Sequence, residues 1–146
     1  MIRISTIKAA LVRQLKKTDD IDVFFTTVSK TESQGSDQSI EKYFHVSLIP
    51  ISTSLFGKFM RDRAFFIDVS YINKHSDTNM FLEWSEKMEG VILPYIQIGE
   101  RSITIEGGSF KIVDEVGHYT FTLKFRDVID YEQDGEPATD LNIKIK

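Results

Sequence analysis

The sequence predicts an α+β domain, a mostly antiparallel sheet packed by two helices, with an extended hairpin arm. Two stretches carry apolar residues at spacings of three and four, the mark of a one-sided helix. Several others alternate apolar and polar residues, and turns bearing Gly or Asp separate them. The aromatics are chiefly Phe (eleven, against five Tyr and one Trp), which suits pleated, half-buried surfaces. At 146 residues the chain is expected to form one domain, 1–146, with an acidic C-terminal extension from about residue 131.

The first helix is expected over residues 2–17, where Ile4, Ile7, Leu11 and Leu15 share a face. Arg3, Lys8, Arg13, Lys16 and Lys17 lie elsewhere on it with no acid among them, which makes either a solvated face or a docking face. "TDD" ends it, and "IDVFFTTV" (residues 21–28) reads as a strand. Residues 29–42 are polar around Gly35 and read as a loop. In "YFHVSLIPIS" Phe44, Val46 and Leu48 share one strand face, and Pro50, without an N–H to donate, marks the strand's edge or end.

Residues 63–73 alternate most clearly, with Phe65, Ile67, Val69 and Tyr71 on one side. A helix is expected from about Asp77 to Leu93, with Ser76 or Asp77 as its N-cap and Trp84 and Met88 in an apolar stripe that also takes Met80 or Phe81 and Val91 or Ile92. Pro94 stops it. Four strand-like runs follow, at 95–98, 102–106, 109–113 and 118–129, divided by "GE", "GG" and "EVG". "YEQDGEPATD" is acidic and turn-rich, and "LNIKIK" alternates Leu141, Ile143 and Ile145 as a strand suited to pairing within the fold or with a neighbour.

Between the strands ending at Pro50 and beginning at Arg63 lies more chain than a hairpin turn needs. Leu55, Phe56, Phe59 and Met60 make it apolar, and Lys58, Arg61 and Arg63 make it cationic. These seven residues are the candidate interface with another chain, the basic ones at its rim. The competing reading folds the arm back on its own core.

Chemistry is sparse. The chain has no cysteine, which excludes disulfides, thiolate metal sites and a cysteine nucleophile, and suits a reducing compartment. The net charge of −4 gives no general attraction to nucleic acid. No apolar run approaches the ~18 residues of a membrane span. The start "MIRISTIKAALVRQLKK" reads as mature structure and not as a signal peptide. No phosphate loop, nucleophile elbow or HExxH motif occurs. "HSD" at 75–77 reads as a helix cap in preference to a metal site. Asp68, mid-strand, and His118 are where a small-ligand enzyme site would sit. No catalytic, cofactor or metal residue is assigned.

The order of "ISTIKAALVRQLKK", "YFHVSLIPISTS", an arginine-bearing stretch into "FFIDVSYIN", the helix "NMFLEWSEKMEGVI" and "HYTFTLKFRDVI" resembles the tail terminator (tail completion) proteins of phages, prophages and phage-tail-like particles of Gram-positive bacteria. The resemblance covers residues 2–130. It implies a structural protein without enzymatic activity or cofactor, forming a homo-oligomeric ring, expected to be a hexamer, on the head-proximal end of the tail tube. There it would stop tube growth and offer a surface to head or neck. Implied partners are the tail tube protein and sheath and neck or head-completion proteins, with no membrane and no specific nucleic acid. The particle would be a virion tail or a tail-like bacteriocin, assembled in the host bacterial cytoplasm. Another neck or head–tail connector component is the alternative.

Overall fold

In the computed structural model, residues 1–25, 41–75 and 77–129 are described. Most of the loop expected at 29–42 and the acidic and alternating segments after residue 131 lie outside them. Helix α1 (Ile4–Thr18) comes first, then strands β1 (Val23–Phe25), β2 (Lys42–Phe56) and β3 (Met60–Asn73). Helix α2 (Thr78–Ile92) follows, with β4 (Tyr95–Ile98), β5 (Arg101–Thr104), β6 (Gly108–Val113) and β7 (Val116–Val128) after it. The main sheet has the order β1-β2-β3-β7-β6, antiparallel except for β1 beside β2, and β4 with β5 forms a separate hairpin. The architecture is α+β, as the alternating and helical periods predict.

Both helices lie on one face of the sheet. Ile7, Leu11 and Leu15 of α1 and Phe81, Trp84, Met88 and Ile92 of α2 are buried on Phe44 and Val46 of β2, Phe65, Ile67, Val69 and Tyr71 of β3 and Tyr119, Phe121 and Leu123 of β7. Ile96, Ile98 and Ile103 of the β4–β5 hairpin complete this core. The stripe of α2 is therefore Phe81 and Ile92 in place of Met80 and Val91, with Asp77 accepting from the Met80 amide as N-cap. At the far end of α1, Thr18 accepts from the Trp84 indole and Asp19 accepts from the Tyr71 hydroxyl, which ties the helix end to both α2 and β3. The buried Tyr71 hydroxyl has its pKa raised, first by desolvation.

Two-residue hairpin geometry joins β6 to β7 at Asp114 and Glu115, both with positive φ (53° and 64°). That conformation is the one a twisted hairpin prefers, and it is normally given to Asn or Gly.

Candidate assembly interface

The arm is not an oversized loop between two strands. β2 runs on past Pro50 to Phe56, and β3 begins at Met60, so only Gly57, Lys58 and Phe59 turn the chain. Gly57, with φ of 74°, takes the left-handed conformation that a tight turn needs. Of the two readings of Pro50 the strand's edge holds and its end does not, and Arg63 does not start the next strand, for two physical reasons. At Pro50 β2 is the outermost strand among the described residues, so the missing N–H leaves no ladder bond unmade. The charged stretch 61–63 is accommodated because β7 follows β3 to the tip, pairing Met60 with Val128, Arg61 with Asp127 and Arg63 with Phe125.

A register shift between Pro50 and Ser52 is the second feature hidden from a simple period-two reading. Up to Pro50 the even residues of β2 face the helices, as Phe44 and Val46 do. Beyond the bulge at Ile51, Thr53 and Leu55 share the face of Arg63 and Arg61, whereas Ser54 and Phe56 lie opposite Asp62 and Met60 on the other face. One extra residue reverses which side chains point where.

Each face of the arm has its own brace. On the helix side the Asp127 carboxylate, only 4% exposed, accepts from the Ile2 amide at 2.9 Å and from Arg61 Nε at 3.4 Å. Arg63 lies 4.0 Å from the same carboxylate, donates to the Ile2 carbonyl at 3.0 Å, and its guanidinium lies over the rings of Phe65 and Phe125. Burial lowers the pKa of Arg63, with the neighbouring Arg61 charge acting the same way. On the other face Arg126 forks onto Asp62, Nε at 2.7 Å and Nη2 at 3.1 Å, and its guanidinium sits 3.4 Å from the centre of the Phe56 ring. The Asp62 carboxyl is held below its usual range, chiefly by that hydrogen bond.

The seven candidate residues therefore divide. Leu55, Phe56 and Phe59 project at the tip, 73%, 51% and 63% exposed, with Lys58 in the turn between them. These rings and the Leu55 side chain do not fold back on the core. Met60, Arg61 and Arg63 are half-buried at the root, where the two arginines hold the N-terminal segment. The apolar tip presents Leu55 on one face and Phe56 on the other, a wedge more than a flat patch.

Asp68 and His118 do meet, on the face away from the helices. Nδ1 of His118 lies 3.0 Å from Asp68 Oδ1 and 3.2 Å from Ser70 Oγ. A nucleophile relay needs serine and aspartate on different ring nitrogens. Here both address the same one, which makes a cross-strand polar cluster and not a relay. No group of three metal-ligating side chains occurs among the described residues, and no helix of the described residues is long and apolar enough to cross a membrane.

Sequence reasoning did not single out Asp127, Asp62 or Arg126. Their signal was the alternation itself: extending the Phe65 face backward places Arg63 and Arg61 on it, and extending Phe125 forward adds Asp127.

A family model described as "Phage tail terminator protein" matches residues 6–135. No curated protein matches. One solved chain aligns over 91% of this chain and 100% of its own length, at 13% identity and a TM-score of 0.47. The family match spans α1 to beyond β7, and with it the whole arm. The chain belongs to the phage tail terminator family, and its role is that of a structural component of the phage tail.

Proposed function

We propose that this protein ends the growth of a tail tube by forming a ring, six-fold in the simplest case, on the tube's head-proximal end, and that the outer surface of that ring receives the head or neck. The particle is assembled in the host bacterial cytoplasm. The observation that carries this reading is the wedge-shaped arm tip: Leu55, Phe56 and Phe59 are held in water on a braced three-stranded support. Apolar groups kept exposed together mark a contact with another chain, and family membership makes that chain a tail component or a second copy. Lys58 lies between them in the turn, and Arg61 and Arg63 stiffen the root.

The chemistry fits a scaffold and not a catalyst. The Asp68–His118–Ser70 cluster lacks relay geometry, and the strongest ionic contacts brace the arm. The test is complementation of a phage lacking this gene with a Leu55→Ser, Phe59→Ser chain. The variant is expected to fold and to leave tails overgrown and headless, the phenotype also expected of the gene deletion. Normal phage yield from the variant would remove the arm tip from the interface.

A further inference from the structure

We infer that neighbouring subunits join edge to edge into one continuous sheet, β6 of one copy pairing antiparallel with the outer edge of the β2 arm of the next. The inference rests on the ring reading above and deepens it by naming the contact.

Two strand edges are open on opposite sides of the same sheet. β1 covers β2 only at Phe44–Val46, so the outer edge from Pro50 to Phe56 has no strand partner among the described residues. β6 ends the sheet on the other side, and its Gly108–Val113 edge is likewise unpaired among them. An edge with free N–H and C=O groups is a template for another strand. Because the two edges belong to different surfaces of one molecule, their pairing is heterologous, the kind that generates a ring when its rotation closes.

Strand direction agrees. β2, β3, β7 and β6 alternate up and down, so a β6 placed beside the next copy's β2 continues the antiparallel order without a break. Side-chain faces agree too. With Ser109 opposite Ser54 and Lys111 opposite Ser52, polar groups meet on the face away from the helices. On the helix face Phe110, which packs on Trp84, comes opposite Thr53. Leu55 comes beside Gly108, where the Tyr119 ring fills the space a Cβ would take, and the exposed Ile112 comes beside the bulged Ile51. At the tip, Glu106 of one copy adjoins the Gly57–Lys58 turn of the other, opposite charges brought together.

The two edges are not level. Traced through β7 and β3, Lys111 stands level with His45, not with Ser52. Allowing one residue for the bulge, the offset is about six residues, roughly 20 Å at ~3.3 Å per residue. Four strands at ~4.8 Å spacing are ~19 Å wide. Such an offset per subunit corresponds to strands tilted by about 45° to the ring axis, within the ~35–45° of closed barrels. In the proposed register the uneven edges give a stagger of the size found in closed barrels.

The chain has no native cysteine, which makes disulfide trapping clean. Ser54→Cys and Ser109→Cys chains, separately and mixed, are assembled onto tails lacking the protein and oxidised, with Ser52→Cys and Lys111→Cys as a second pair. The expected result is a disulfide dimer from each mixture and none from any single variant, and from the Ser54→Cys, Ser109→Cys double variant a ladder that stops at the ring's subunit number. Rings visible by electron microscopy without either cross-link overturn edge pairing alone, as do dimers from a single variant, which signal a two-fold contact. Tails that carry no ring at all overturn the ring reading and this inference with it.

Discussion

At the scale of single residues, Asp127 carries most weight. It is a buried carboxylate that receives the Ile2 amide and Arg61 and faces Arg63, so its removal leaves a backbone donor and two cations at the arm root without their acceptor. Truncating one partner of such a buried set costs more than the set contributes net. Asp127→Ala is expected to destabilise the fold by about 2–4 kcal/mol, read as a lower midpoint in urea unfolding, with loss of protection of the Ile2 amide in hydrogen exchange. An unchanged midpoint would show that the N-terminal segment is held by apolar contacts alone. Gly117 makes an independent point. A Cβ there would come within 2.8 Å of the Phe81 ring, which is wedged between α2 and β7. Gly117→Ala therefore costs about 1–3 kcal/mol through overpacking, and Phe81→Leu in the same background is expected to recover part of the loss in thermal melts. Tyr119, whose buried hydroxyl has its pKa raised by desolvation, crowds Gly108 in the same way on the neighbouring strand.

At the scale of elements, the arm is a ribbon of three strands and not a loop. Its outward face is tied by Asp62 and Arg126, and its acid sensitivity has a definite sign. The folded pKa of Asp62 is lowered, by the Arg126 hydrogen bond first and its charge last, with desolvation opposing. A lowered value means that the pair contributes above the unfolded value of 3.8 and is lost as pH falls through the folded one. Carboxyl NMR of Asp62 is expected to titrate below 3.8 in the native chain and to return toward it in Arg126→Gln; equal midpoints in the two would remove the pair from the account. The helices, the four later strands and the α+β class were legible because burial on one face writes a period into the sequence. The arm was legible only as an anomaly. Its strand character was masked by Pro50, by the bulge at Ile51 that reverses the faces, and by charges at 61–63 whose partners arrive from β7, more than sixty residues away. Alternation within one segment cannot report a partner that distant. Of the seven candidate residues, the projecting tip followed from composition, whereas the inward bracing by Arg61 and Arg63 depends on tertiary pairing.

At the scale of the whole molecule, the packed core and the exposed arm tip separate in space. The core lies between the sheet and two helices, and the arm tip lies beyond it. Leu55→Ser with Phe59→Ser should thus leave the unfolding free energy within about 0.5 kcal/mol per site while abolishing attachment to tails. A large fall in stability would mean that the tip packs on its own chain. Among the described residues of this tail terminator family member, two strand edges of the sheet lack a strand partner and the arm is braced on both faces, the features on which the proposed lateral joining rests. The most direct measurement is electron microscopy of purified tails in which this protein is labelled. One labelled ring is expected, at the head-proximal end of each tube. Label distributed along the tube, or particles with none, would contradict it.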